Sequence, residues 1–370
     1  MSARSDVTIG RSGTVRVRRS LRSPLYTLIS APIVIGLLTV APWVLPAQFS
    51  TTLTNFYILV IMATMWNLLA GYAGMVSIGQ QGFIGLGAYA TLYFAIKGMD
   101  PFVAIPLAVI VCAVIAFPVT FLLFRLRGGY FAVATWVVAN SAMLIIGSIA
   151  FFGGGTGHYL PGLTNLSFKV LNHDTYLAAW FVALVVVVAT YILLRSRLGL
   201  VLSSVRDNEV ASRSSGAKVT STRRTVFIVA AAGCGAAGAV LAISQPFIQL
   251  GNEFNLQWAA EMLFASMIGG LGTIEGPILG CVIFFVLQQS LQNYGAWYLI
   301  IFGALAVGVA IWQPRGIWGF VRDTFHFELL PVGYRVSGAG VTNEARSALR
   351  TVRWLRRSQK TPPERDDKSP

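Results

Sequence analysis

Long stretches without a single charged residue dominate the chain, and short clusters of charge separate them. Asp, Glu, Lys and Arg are absent from residues 23–96, 101–124, 128–168, 175–194, 225–252 and 276–314. A helix of about 20 apolar residues crosses a bilayer, and most of these stretches are longer than that. Lipid offers the backbone no hydrogen-bond partner, and the runs lack period-two alternation. The pattern therefore predicts membrane-spanning helices and not a β-barrel.

The predicted architecture is an all-α, polytopic membrane helix bundle of about ten transmembrane helices. They lie at residues 25–45, 53–70, 78–96, 102–124, 130–152, 176–194, 226–245, 256–268, 278–291 and 297–312. The third, eighth and ninth are short or rich in glycine, which is typical of broken or re-entrant helices. The transmembrane domain comprises residues 23–318 and includes a long polar loop at residues 195–224. A basic segment at residues 1–22 precedes it.

Composition and charge exclude a water-soluble enzyme and set the orientation. Of the 370 residues, 55 % are hydrophobic and 11 % are charged. Lys and Arg in short loops are retained on the cytoplasmic side of a membrane. With a cytoplasmic N-terminus, 26 of the 28 Lys and Arg residues fall in cytoplasmic segments, and only Lys97 and Lys169 fall outside. Both termini are therefore predicted to be cytoplasmic. The formal net charge of +14 needs no nucleic-acid partner to explain it.

The C-terminal tail at residues 335–370 differs in composition from the rest of the chain. It holds nine basic and four acidic residues, two adjacent prolines and few large apolar residues. Such a composition is typical of a disordered segment, and its positive charge is attracted to anionic lipid. We predict a disordered cytoplasmic tail near the lipid surface.

Sequence motifs for catalysis are absent. The chain has no GxxxxGK[ST] loop and no HExxH or GxSxG motif, each of which places reactive groups at a fixed spacing. We predict a non-catalytic subunit without a cofactor or metal, so any ATP hydrolysis belongs to another polypeptide. Glu261 is the only acidic residue within a predicted helix, either buried or near the outer surface. Because intramembrane acids often couple transport to ions, an ion-coupled secondary carrier or channel stays open as an alternative.

Residues 66–89 combine glycines with uncharged polar side chains. Small residues let helix backbones approach closely, which predicts helix packing. The glycines concerned are Gly71, Gly74, Gly79, Gly82 and Gly85. Broken helices at membrane depth are buried or line a cavity, so the same stretch also predicts a substrate path beside a helix break. The polar side chains that would line this path are Asn67, Ser77, Gln80 and Gln81.

The polar loop at residues 195–224 predicts a short amphipathic helix on the cytoplasmic face. Its apolar residues recur at helical spacing, at Leu198, Val201, Leu202 and Val205. Its polar residues interleave acid and base at Arg206, Asp207 and Glu209, and Gly216 is placed to end the helix. A helix that lies on anionic lipid would present an almost purely cationic polar face. The mixed charge therefore favours docking into a groove of a partner protein.

Four motifs, in this order, resemble the LivM-type permease subunit of ATP-binding-cassette importers for branched-chain amino acids, the LivH/LivM permease family. They are WNLLAGYAGMVSIGQQGFIGLGAYA at residues 66–90, GGGTG at 153–157, GLVLSSVRDNEVASRSSG at 199–216 and GGLGTIEGP at 269–277. The resemblance implies that residues 199–216 couple the chain to an ATPase, with Arg206, Asp207 and Glu209 as polar contacts. The chain departs from the family at Gln80 and Gln81, because that stretch often holds a histidine.

The resemblance also implies an assembly and a cargo. The partners would be two ATP-binding-cassette ATPase subunits, a homologous LivH-like permease and a periplasmic solute-binding protein, at a bacterial inner membrane. The cargo would be a branched-chain or related amino acid, or a similar small amide or carboxylate. A path with amides and hydroxyls but almost no charge suits a zwitterion or a neutral solute.

Overall fold

The computed structural model describes residues 16–19, 36, 38–43, 46–126, 128–163, 167–207, 209–291, 297–313, 316–325 and 334–337. Two units are distinguished, one from residues 1–25 and 331–370 and the other from residues 26–330. In the first unit, strand β1 (Arg16–Arg19) pairs antiparallel with strand β4 (Tyr334–Ser337). Residues 335–337 of the predicted disordered tail thus lie in a strand. The rest of that tail lies outside the described residues.

The second unit is helical. Its helices are α1 (Ala47–Asn67), α2 (Gln80–Ile96), α3 (Pro101–Leu123), α4 (Gly129–Ser148), α5 (Phe168–Arg195), α6 (Arg197–Asp207), α7 (Glu209–Ser214), α8 (Val219–Ser244), α9 (Leu250–Glu253), α10 (Leu256–Gly269), α11 (Glu275–Leu291), α12 (Trp297–Trp312) and α13 (Gly316–Phe325). A π-helical turn (Leu68–Tyr72) extends α1, and a 3-10 turn (Ala150–Phe152) follows α4. Strands β2 (His158–Tyr159) and β3 (Phe247–Ile248) form a short antiparallel pair.

The predicted helices from the second to the tenth all coincide with observed helices. The first lies mostly outside the described residues, of which residues 38–43 are helical. In the described part of the chain, five helices are long and apolar enough to cross a membrane, or six if α12 and the start of α13, bent by 44°, form one span. Helices α2, α10 and α11 have 17, 14 and 17 residues, which is short of a full span. The count of ten transmembrane helices and the cytoplasmic termini therefore stay predictions.

Local signals in the sequence explain several helix ends. The Asp100 carboxylate accepts a hydrogen bond from the Phe102 amide at 2.8 Å, with Pro101 at the first helical position of α3. The Asn255 side chain caps α10 in the same way, through the Gln257 amide at 2.9 Å. These caps fix where the connecting loops begin and end.

Close contacts between glycines bring α2 and α8 together. A Cβ atom at Gly87 would collide with the Gly235 carbonyl, and one at Gly238 would collide with the Ile84 carbonyl. Most of α1 and α8 is buried inside the bundle, whereas less than a third of α3, α4 and α5 is buried. The core is therefore built on α1, α2 and α8, and α3, α4 and α5 offer apolar surface to lipid. The three cysteines predicted to be packing residues are free and buried at Cys112, Cys234 and Cys281.

The loops of this unit collect at two ends of the bundle. At one end, Gly162 contacts Pro101, and the Leu160 amide donates a hydrogen bond to the Pro246 carbonyl at 2.7 Å. At the other end, the turn after α1 meets the turn at residues 270–274, and Gly316 packs against Gly270. We name the first the external end and the second the cytoplasmic end, after the predicted orientation.

Candidate functional site

The cytoplasmic end contains a hydrogen-bonded clamp between two glycine-rich turns. The Asn67 Nδ2 donates to the Thr273 carbonyl at 2.7 Å, and the Asn67 Oδ1 accepts from the Gly272 amide at 2.9 Å. Asn67 is only 2 % exposed, and a buried amide requires partners for both its donor and its acceptor. The main chain of the second turn supplies them. Asn67, which was predicted to line a substrate path, thus joins the first sequence motif to the fourth.

Glycine is required at two positions in this clamp. A Cβ atom at Gly71 would collide with the Asn67 side chain and the Gly272 amide. Gly272 has φ +76°, a left-handed conformation that residues with a side chain adopt at a cost. A Cβ atom there would also collide with the Arg206 guanidinium. The two turns can approach each other only because neither residue carries a side chain.

Arg206 connects the cytoplasmic loop to this clamp. Its Nη1 donates a hydrogen bond to the Gly71 carbonyl at 3.1 Å. Leu202 and Val205 of the same helix are buried, which anchors α6 to the bundle on its apolar face. Arg206 therefore has partners within its own chain at the point where α1 breaks.

The cytoplasmic loop is helical over Arg197–Asp207 (α6) and Glu209–Ser214 (α7), where a short amphipathic helix was predicted. Residue 208, between these two ranges, lies outside the described residues. Gly216, with φ +80°, follows α7 as predicted for a helix terminator. The side chains of Asp207 and Glu209 lie outside the described part of the structure.

Ser77, Gln80 and Gln81 lie together where α2 begins, and all three are buried. The Ser77 Oγ accepts from the Gly79 amide and from the Gln80 Nε2, both at 3.4 Å. The Trp66 Nε1 donates a hydrogen bond to the Ser77 carbonyl at 2.8 Å. The Oε1 atoms of Gln80 and Gln81 have no hydrogen-bond partner in the described part of the chain. The helix break therefore contains two buried amide oxygens that accept no hydrogen bond in the described structure.

The glycines of α2 lie against neighbouring elements. A Cβ atom at Gly79 would collide with Thr135, one at Gly82 with Ala139, and one at Gly85 with the ring of Phe254. Gly74 has open space around it but a φ of +66°, so its role is to turn the chain. At Gly79, Gly82 and Gly85 these contacts favour a role in helix packing over a role in lining a substrate path.

A buried acid at the external end was not predicted. Glu253, the last residue of α9, is 0 % exposed, and neither of its carboxylate oxygens has a hydrogen-bond partner in the described structure. Burial raises the pKa of Glu253 to about 8. Glu253 falls between the predicted helices at residues 226–245 and 256–268. The one sequence feature that could have indicated this site is that Glu253 is a lone acidic residue directly after the charge-free stretch 225–252.

Glu261, the only acidic residue within a predicted helix, is buried inside the bundle. It is 4 % exposed, and its Oε1 accepts a hydrogen bond from the Gln257 Nε2 at 2.7 Å. The same Gln257 nitrogen lies 3.0 Å from the Tyr298 hydroxyl. One turn of α10 and a tyrosine of α12 thus enclose this carboxylate, whereas the Glu253 carboxylate has no such partners. In the described residues, no three His, Cys, Asp or Glu side chains come together as a metal site requires.

The sequence matches the family described as "Branched-chain amino acid transport system / permease component" over residues 48–310, more than two thirds of the chain. The chain belongs to this permease family. The matched range contains the Asn67 clamp, Arg206, Glu253 and Glu261. It excludes the basic N-terminal segment and the tail.

Curated relatives of this permease agree with that range. The high-affinity branched-chain amino acid permease LivM of Escherichia coli is 28 % identical over 298 residues, which cover 73 % of this chain and 69 % of that protein. A probable LivM permease of Methanocaldococcus jannaschii is 23 % identical over 321 residues, covering 72 % and 92 %. The autoinducer 2 import permease LsrC of Photorhabdus laumondii is 26 % identical over 268 residues, covering 67 % and 78 %. No solved structure matches the chain.

Proposed function

We propose that this permease is the non-catalytic transmembrane subunit of an ATP-driven importer in a bacterial inner membrane. A periplasmic binding protein delivers the solute at the external end, two ATPase subunits act at the cytoplasmic end, and a homologous LivH-like permease completes the path. The family match and the LivM relatives support this assembly. The multi-pass helical bundle with apolar outer helices supports its place in the membrane.

The proposed cargo is a branched-chain amino acid or a related small amino acid. The LivM names support this class, while the LsrC relative carries a different solute by its name. The buried acceptors Gln80 Oε1 and Gln81 Oε1 suit a solute with N–H donors. Binding affinity would reside mainly in the binding protein, because the described bundle offers few charged groups along α2.

The hydrogen bond from Arg206 to the Gly71 carbonyl is the observation that carries the proposed mechanism. Arg206 lies on the cytoplasmic loop, where an ATPase would dock, and Gly71 lies in the break after α1. A movement of α6 would reach the ends of α1 and α2 through Gly71. It would reach the ends of α10 and α11 through Asn67 and Thr273. ATP-driven movement outside the membrane would in this way open and close helices within it.

Replacement of Arg206 by alanine tests this mechanism. In the reconstituted importer we expect Arg206→Ala to retain ATP hydrolysis but to lose most solute uptake, because the ATPases still bind while their movement is not transmitted. Arg197→Ala is the matched control, because Arg197 is an exposed arginine on the same helix. Uptake per ATP hydrolysed is the measurement. A normal ratio for Arg206→Ala, equal to that of the control, contradicts the proposed coupling.

A further inference from the structure

The external end holds a buried carboxyl group that no part of the proposed mechanism uses. Glu253 is fully buried, and its two oxygens lack any hydrogen-bond donor in the described residues. No described cation compensates the charge. An unpaired carboxylate of this kind costs several kcal/mol to bury when ionised. Such an orphaned group marks a place where another molecule completes the hydrogen bonds.

Aromatic rings surround the segment that carries this carboxyl group. The Tyr89 ring lies 5.4 Å from the Phe152 ring and 6.1 Å from the Phe254 ring, measured between centroids. Glu253 is adjacent in the chain to Phe254, whose ring belongs to this cluster. Carboxylate oxygens and aromatic faces both attract a cation, and an ammonium group offers three N–H donors. The combination fits an organic ammonium group better than an anion or a neutral apolar group.

The surrounding segment contains no long helix or strand. Strand β3 pairs with β2 through two residues, the Leu160 amide donates a hydrogen bond to the Pro246 carbonyl, and the Phe254 ring covers α2 at Gly85. Separation of residues 246–255 from α2 would break these contacts but no long element. Their separation would expose the Glu253 carboxyl group toward the side from which the solute arrives.

We propose that Glu253 receives the ammonium group of the entering amino acid at the external end of the permease. This inference rests on the proposed function for the identity of the cargo. When the ammonium group arrives, its positive charge favours the ionised carboxylate, and the released proton goes to external water. The carboxylate then has the donors that it lacks in the closed bundle.

The first test measures binding without transport. The full chain, assembled with its partner permease and ATPases, is melted with 3-methylbutylammonium chloride, which is leucine without its carboxylate, or with sodium 4-methylpentanoate, which is leucine without its ammonium. We expect the amine to raise the melting temperature of the wild type by about 2 °C at saturation. The acid and an equal concentration of NaCl should leave it unchanged. Glu253→Gln should abolish the shift, and Glu261→Gln, a matched buried acid with its own partner, should keep it.

The second test measures leucine uptake by the same importer. We expect Glu253→Gln to lower uptake roughly tenfold or more, because it removes a charge-assisted hydrogen bond. Glu253→Asp should retain an intermediate rate. Without amine, Glu253→Gln should melt no lower than the wild type, since the wild-type group has no partner to lose. A purely structural role predicts the opposite pair of results, lower stability with normal uptake.

Three results overturn the ammonium assignment. They are the absence of an amine shift in the wild type, an equal shift in Glu253→Gln, and an equal shift with NaCl, which would assign the group to an inorganic cation. Wild-type uptake by Glu253→Gln overturns its role in transport. A Glu253-dependent amine shift in an importer that does not take up leucine would instead keep the ammonium site and reject the proposed cargo.

Discussion

At the cytoplasmic end, the buried amide of Asn67 has main-chain partners for both its donor and its acceptor. At the external end, the buried carboxyl group of Glu253 has none in the described structure. A fully paired polar group fixes the elements that it joins, and an unpaired one destabilises the closed arrangement around it. Under the proposed function, the cytoplasmic end would move as one connected piece. The external end would open when a partner supplies hydrogen-bond donors to Glu253.

Helix α2 connects the two ends. Its first residues lie beside the helix break, and Gly85 and Tyr89 lie beneath the segment that carries Glu253. Gly87 fixes it to α8. A shift of the helix break would therefore displace the contact between Gly85 and Phe254, because α2 extends from one end to the other. Substitutions at four positions, Val205, Asn67, Gly82 and Glu261, test this comparison.

The largest effect is expected from Val205→Pro. Proline within a helix removes a hydrogen bond and costs about 3 kcal/mol, and Val205 is a buried anchor of α6. We expect the variant to insert in the membrane but to lose ATPase association and uptake. Co-purification of the ATPases measures the first, and Ser204→Ala on the adjacent exposed position is the control. Normal uptake by Val205→Pro would mean that the loop at residues 195–224 does not couple the chain to an ATPase.

A smaller loss of stability and of uptake is expected from Asn67→Leu. The substitution leaves the Gly272 amide and the Thr273 carbonyl without partners, at about 1–3 kcal/mol for each buried group. We expect a lower melting temperature and low uptake per ATP hydrolysed. Asn67→Asp separates the two bonds, because it keeps the acceptor for Gly272 and loses the donor to Thr273. An unchanged melting temperature in Asn67→Leu would show that the clamp does not hold the cytoplasmic end together.

The pair Gly82→Ala and Gly308→Ala tests whether the glycine side of α2 packs tightly against its neighbours. Both glycines are helical, and alanine is favoured over glycine there by about 1 kcal/mol. A Cβ atom at Gly82 would lie 2.7 Å from that of Ala139, whereas nothing lies within 4 Å of one at Gly308. We expect Gly82→Ala to lower the melting temperature and Gly308→Ala to leave it unchanged or raise it. Lost uptake in Gly82→Ala at an unchanged melting temperature would favour a path lining over packing.

Patterns that depend on neighbouring residues could be predicted from the sequence. The charge-free stretches located the helices, and the glycines at residues 71–79 indicated the break between α1 and α2. A short amphipathic helix was predicted in the loop at residues 195–224, and helix is observed there at residues 197–207 and 209–214. These features are set by composition over a few turns of chain.

Features set by distant contacts could not be predicted. Asn67 was expected to line a path because it is polar and next to a break, but its partners lie more than 200 residues away in the chain. Nothing local in the sequence of the α1 end specifies them. The burial of Glu253 could not be predicted either, because hydropathy does not show that a short loop segment packs against α2. In the structure, the Phe254 ring of this segment lies against Gly85.

The smallest effect is expected from Glu261→Gln. Its carboxylate already accepts a hydrogen bond from Gln257, and a glutamine Oε1 can accept the same bond. An ATP-driven importer needs no titratable group at this position, whereas an ion-coupled carrier would use the buried acid. We expect uptake within about a factor of two of the wild type. A complete loss would favour the carrier.

Uptake by proteoliposomes that contain the complete importer tests the central proposal most directly. The binding protein and labelled leucine are supplied on one side, ATP on the other, and no proton or sodium gradient is imposed. We expect accumulation that requires ATP and both ATPase subunits, and no accumulation by this chain alone under an imposed gradient. Gradient-driven accumulation by the single purified polypeptide, abolished by Glu261→Gln, would contradict the importer and establish an ion-coupled carrier.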